Sequence, residues 1–114
     1  MPSVEFLKAF ANTWNRHDSD VLMNYMTDDC IFVSSDGTRF EGFQAVREAF
    51  ARVLEAFPDA NWSNDTHFVS GDRGVSEWIF TGTDGEDGTK IAEKGCDIFT
   101  FRDGKIALKD TYLK

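Results

Sequence analysis

At 114 residues, with 41% hydrophobic content and 11 phenylalanines, the chain can bury one real core and is too apolar to stay disordered. Its formal net charge of −8 repels phosphate backbones and anionic lipid surfaces, which argues against nucleic acid and membrane as partners. No apolar run is long enough to span a bilayer, and Met1–Phe6 lacks the basic and apolar regions of a signal peptide, so a cytoplasmic location is expected.

The elements follow in order along one domain, residues 1–114. Residues 3–17 predict a helix: Ser3 can cap it, and Phe6, Phe10, Trp14 and His17 recur at helical spacing, with Leu7 and Ala11 widening the stripe. Asp18-Ser19-Asp20 breaks that helix and starts a short second one through Val21, Leu22, Tyr25 and Met26. Cys30-Ile31-Phe32-Val33 is a β run, and Asp36-Gly37 a turn. A third helix is predicted over 43–57, with Phe43, Val46, Phe50, Leu54 and Phe57 on its apolar face and Pro58 stopping it. Everything after that reads as strand: 61–70, 75–83, 90–102 and 105–113, with a turn within Gly71-Asp72-Arg73-Gly74. Helices first and a meander after predict an α+β fold, three N-terminal helices covering a curved antiparallel sheet.

Cys30 and Cys96 are too few for a disulfide framework, and neither has a second cysteine or histidine at metal-ligand spacing. His17 and His67 stand far apart. No metal and no cofactor are expected; Gly82-Thr83-Asp84-Gly85 lies between strands, not ahead of a helix as a phosphate loop would.

The last hairpin carries the strongest signal. Asp103-Gly104 between two β runs marks a type I′ turn. With those two residues at the turn, Phe101 faces Ile106, Phe99 faces Leu108 and Asp97 faces Asp110, all on one side of the sheet. Two carboxylates about 5 Å apart on an apolar face would share a proton and act as a coupled acid–base pair. The competing readings leave Asp110 exposed or paired with Lys109, Lys94 or Arg102, or let a one-residue bulge turn one aspartate to the other face. His67 is a further candidate base. If Asp72-Arg73 is the turn, it pairs with Trp78, although alternation leaves open which face of 75–83 is the inner one.

The order of elements and four local stretches resemble the nuclear-transport-factor-2-like superfamily, in particular its SnoaL-like polyketide cyclases and ketosteroid isomerases. The stretches are Asp28-Asp29-Cys30-Ile31-Phe32, Phe40-Glu41-Gly42, Phe57-Pro58-Asp59 and Trp78-Ile79-Phe80-Thr81-Gly82-Thr83, completed by Phe99-Thr100-Phe101-Arg102-Asp103-Gly104. The resemblance implies a cone-shaped α+β barrel, usually a homodimer packed through its sheets, with an apolar pocket for a small apolar molecule. Phe10, Trp14, Tyr25 and Phe32 would wall that pocket, together with Phe50, Trp78, Phe99 and Phe101. It also implies a protonated acid at Asp97, an isomerase base near Ser34, the isomerases' helix-1 tyrosine near Phe10, and a cyclase acid/base near Asp110 with a histidine near Asp97. Ser34, Phe10 and Asp97 itself depart from those patterns. The expected function is cofactor-free proton transfer of the isomerase, cyclase or dehydratase type, with Asp97 as donor and Asp110 or His67 as base. A non-catalytic binding or dimerisation module is the rival.

Overall fold

The computed structural model describes residues 2–114. Helix α1, Val4–Asn15, starts where Ser3 Oγ accepts the Phe6 N–H at 3.2 Å, and it buries Leu7, Phe10 and Trp14. Helix α2, Ser19–Met23, is capped by Asp18, whose carboxylate accepts the Val21 N–H. Strands β1, Met26–Val33, and β2, Arg39–Glu41, form a short hairpin. Helix α3, Phe43–Ala56, turns Val46, Ala49, Phe50 and Leu54 to the core and ends at Phe57, ahead of Pro58. The long strands follow: β3, Asn61–Ser70; β4, Arg73–Thr83; β5, Lys90–Arg102; and β6, Lys105–Leu113.

These six strands make one open sheet in the order β2-β1-β6-β5-β4-β3, with the three helices packed on it. The α+β architecture is the expected one. The sheet is mixed rather than wholly antiparallel, because β1 runs parallel to β6, and it is not closed. Asn15 pins the end of α1 to β3: its side chain accepts the Trp62 N–H at 2.8 Å and donates to the Trp62 carbonyl at 2.9 Å. His17 does the same further on, its Nε2 lying 2.7 Å from the Ala60 carbonyl. Among the described residues no helix is long and apolar enough to cross a membrane.

Register decides what the sheet presents to the helices. Asp103 and Gly104 both take positive φ (54° and 76°), as a type I′ turn requires, and Phe101 pairs with Ile106 as expected. One residue later the ladder slips: Thr100 pairs with Leu108, leaving Ala107 as an extra residue on β6. Beyond that bulge every β6 side chain changes face relative to the expected register. Asp97 therefore pairs with Thr111, and Asp110 pairs with Ile98 on the opposite side. The β3–β4 turn is also displaced by one position. Ser70 pairs with Arg73, the turn is Gly71-Asp72, and His67 lies opposite Ser76 rather than Trp78. A second bulge between Ser63 and Thr66 inserts a residue into β3, with Asn64 at φ 53°.

Candidate active site

Two adjacent rows of inward side chains cross the sheet beneath the helices. One runs His67, Ser76, Asp97, Thr111 over β3, β4, β5 and β6. The next runs Val69, Gly74, Phe99, Lys109, Phe32. The β6 bulge brings Lys109 into the second row, and it is only 6% exposed. A buried ammonium needs a partner, since an unpaired charge away from water is costly. It has one: Lys109 Nζ donates to Asp97 Oδ1 at 2.9 Å and to Thr111 Oγ1 at 3.0 Å. Three aromatic rings surround the same nitrogen, with centroids 4.7 Å (Phe32), 5.3 Å (Trp14) and 5.7 Å (Phe50) away.

Asp97, also 6% exposed, gathers donors on both oxygens. Thr111 Oγ1 adds a 2.5 Å hydrogen bond to Oδ1, and Trp78 Nε1 donates to Oδ2 at 2.9 Å. Three donors and no acceptor facing it suit a carboxylate, not the protonated donor expected from the sequence. Of its four lone-pair positions three are taken, and the remaining one is on Oδ2. The Trp78 indole reaches Asp97 by lying over Gly95. A Cβ there would stand 2.7 Å from Trp78 Cη2 and 2.5 Å from the Tyr112 carbonyl oxygen, so only glycine leaves room.

Lys109 separates two spaces. A pocket of about 320 Å³ opens between the sheet and α3, walled by Trp14, Phe32, Val53, Trp62, Trp78 and Phe80, with Ser34, Ser35, Glu93, Lys109 and Thr111 as polar members. Behind it lies a cavity of about 30 Å³ under α1, bounded by Phe10, Trp14, Ser76, Asp97, Phe99 and Lys109. A wider groove of about 560 Å³ lies on the other face, around Thr66, Glu77, Cys96 and Tyr112. Its charged members, Glu77, Lys94 and Lys114, are exposed, whereas the buried charges Asp97 and Lys109 border the inner spaces.

His67 is buried beside this site and held at both nitrogens. Nδ1 lies 2.7 Å from Ser76 Oγ and Nε2 2.7 Å from Asp65 Oδ2. The His67 contact is also the main reason the Asp65 carboxyl sits below its ordinary range. Among the described residues no group of three or more His, Cys, Asp or Glu side chains is arranged to hold a metal ion.

A family model described as a SnoaL-like domain matches residues 7–109. The chain belongs to the SnoaL-like domain family. No curated protein sequence matches it. Among solved structures, a candidate polyketide cyclase from Pseudomonas putida superimposes with TM-score 0.90 at 18% identity, over 100% of this chain and 92% of that one. A second candidate cyclase, from Xanthomonas campestris, gives 0.84 at 21% identity, over 95% and 87%. A protein of ketosteroid isomerase-like fold from Catenulispora acidiphila, solved with trimethylamine, gives 0.86 at 18%, over 97% and 86%. At such identities these likenesses establish the SnoaL-like fold and nothing about substrate.

Within this SnoaL-like chain the candidate residues divide. Asp97, Trp14, Phe32, Ser34 and Trp78 meet around the two spaces; Phe10 and Phe99 bound the smaller one, and Phe50 backs Lys109. Tyr25 and Phe101 pack with Phe6 in the core and line neither space. Ser34 is occupied locally, donating to Asp36 at 2.5 Å and drawing that carboxyl down to about 2. Asp110 faces outward and accepts a hydrogen bond from the Tyr112 hydroxyl, so the expected carboxylate pair does not form. Lys109, Thr111, Ser76 and Asp65 are site residues that the sequence reading left out. Their only signal is inward position, which for Lys109 and Thr111 depends on the β6 bulge and for Ser76 on the one-residue displacement of the β3–β4 turn.

Proposed function

We propose that the inner pocket binds a small, largely apolar carbonyl compound and promotes cofactor-free proton transfer at the carbon next to the carbonyl, as isomerases, cyclases and dehydratases do. The observation that carries this reading is the buried Asp97–Lys109 pair set against an apolar pocket. Lys109 has three N–H donors, two of them committed to Asp97 and Thr111. The third is available for a substrate carbonyl, where a fixed ammonium would stabilise the charge of a forming enolate. Asp97 would take the proton at its open Oδ2 position, directly or through one water. Asp97 thus becomes the base, and Lys109 takes the donor role first expected of Asp97.

One observation favours the rival reading of a non-catalytic binding module: Asp97 borders the small cavity and not the larger pocket. A planar ketone such as 2-tetralone separates the two. Both readings predict shifts of the Trp14 and Trp78 indole resonances on titration. Only the catalytic reading predicts uptake of solvent deuterium at the α-carbon of the bound ketone.

The outer face of the sheet supports a homodimer. Phe68 (56% exposed) and Tyr112 (51%) flank Val75 and Ile98 there, and Arg73 and Lys94 alternate with Glu77 and Asp110. A face bearing both signs around an apolar centre can meet a second copy of itself. Sedimentation of the wild type and of Phe68→Glu tests it: a wild-type dimer and a monomeric variant support the interface, and a wild-type monomer rejects it.

A further inference from the structure

Beside the pocket, three side chains form an unbroken hydrogen-bonded line that the proposed chemistry does not use. Asp65 stands at the rim, its side chain 35% exposed, and His67 lies behind it at 1%. Ser76, 4% exposed, completes the line, its Oγ on His67 Nδ1. Asp65 and His67, two residues apart on β3, share a face of the strand just past its bulge. With Asp65 accepting the Nε2 proton, Nδ1 of the neutral ring is an acceptor and Ser76 Oγ–H donates to it.

The inner end of the line reaches the 30 Å³ cavity, which Ser76, Asp97 and Lys109 border together with Trp14. That volume holds about one water, provided polar partners are at hand. Trp14 Nε1 is a buried donor with no acceptor among the described residues, and leaving such a group unpaired is costly. A water there would accept from Trp14, meet Ser76 and donate to the open position on Asp97.

We propose that this cavity binds an ordered water, and that the water, Ser76, His67 and Asp65 form a proton relay joining Asp97 to solvent. A proton on Asp97 passes to the water, which gives one of its own to Ser76 Oγ. Ser76 passes its hydroxyl proton to His67 Nδ1, and the ring releases its Nε2 proton to Asp65 and so to bulk water. The water, Ser76 and Asp65 end with as many protons as they began with, Asp97 ends as a carboxylate, and His67 keeps one proton on Nδ1 in place of Nε2. Transfer in the reverse direction restores the Nε2 proton and recharges Asp97. The relay rests on the reading of Asp97 as the base, yet its test needs no substrate.

Lys109 reports on it. Its ammonium protons exchange with solvent by hopping to Asp97 and leaving along the line, and this exchange is readable by 15N-edited NMR in the ligand-free protein. Ser76→Thr keeps the hydroxyl, and Ser76→Val has the same shape without it. Exchange about tenfold slower in the valine variant than in the threonine variant supports the relay. Equal rates, or a faster valine variant, overturn it, since a merely structural serine loosens the site when replaced. Should either variant fail to fold, Asp65→Asn decides: its amide oxygen still accepts from Nε2 but takes no proton. Slowed exchange there supports the relay and unchanged exchange rejects it. Failure of these outcomes alongside α-exchange of a ketone would remove the relay and leave the proposed function standing.

Discussion

Lys109 Nζ lies 2.9 Å from Asp97 Oδ1, with both side chains less than a tenth exposed. The pair joins residues 12 apart in sequence across the β5–β6 hairpin, and the extra residue Ala107 makes it possible. A site expected to hold two opposed carboxylates holds an ion pair instead. That removes the like-charge conflict and puts a cation in the pocket wall, with its anion behind it at the smaller cavity.

Removing one partner of such a pair strands the other in the interior. Asp97→Asn and Lys109→Met are each expected to cost about 3–5 kcal/mol. The double variant should cost about 1–3 kcal/mol less than their sum, because neither charge is then left alone. Urea unfolding of the four proteins measures the cycle; strict additivity would mean that the two groups do not support each other.

Gly95→Ala puts a methyl group where the Trp78 ring and the Tyr112 carbonyl already stand. The expected loss is about 1–3 kcal/mol of stability, with the Trp78 indole N–H resonance moving as its bond to Asp97 breaks. An unchanged indole resonance would show that Gly95 does not set the position of Trp78.

Deleting Ala107 removes the bulge and leaves Leu108, Lys109, Asp110 and Thr111 opposite their present β5 partners, so the ladder becomes regular and Lys109 stays beside Asp97. The deletion is expected to destabilise the fold by less than Lys109→Met, since it keeps the buried ion pair while the methionine strands Asp97. Denaturant midpoints of the two variants test this ordering.

Asp65 predicts a pH dependence. His67 holds its carboxyl below the ordinary value of 3.8, so below that value the unfolded chain binds a proton that the folded one resists. The stability this provides is complete above the ordinary carboxylate value and is lost as pH falls through the lower folded one. The gap in unfolding free energy between wild type and Asp65→Asn should therefore shrink as pH drops below 3.8. A gap that stays constant would remove Asp65 from the acid response.

Local chemistry made most of the architecture legible. Ser3 as a cap, the Phe10–Trp14 stripe, the stop at Pro58 and the Asp103-Gly104 turn are short-range signals, and each sits where expected. The parallel contact of β1 with β6 is not local, since Phe32 and Lys109 are brought together by the whole fold. The site was less legible for a related reason. Side-chain facing has a period of two, so one extra residue inverts everything beyond it. Nothing in Ala107 or in Asn64-Asp65 marks them as bulges. The sequence thus pointed to Asp97 and His67, while Lys109 read as a solvated partner and Asp110 as a catalytic group. In the structure Lys109 is the buried, inward residue and Asp110 the outward one.

The most direct test of the account is the rate at which 2-tetralone takes up deuterium at its α-carbon in D2O, followed by proton NMR at a ketone concentration that saturates the indole shifts. The account predicts acceleration over buffer by the wild type and a loss of at least about 10²-fold in Asp97→Asn, in protein shown to be folded. Exchange by Asp97→Asn at the wild-type rate, or a wild type that binds the ketone and exchanges no faster than buffer, would contradict it.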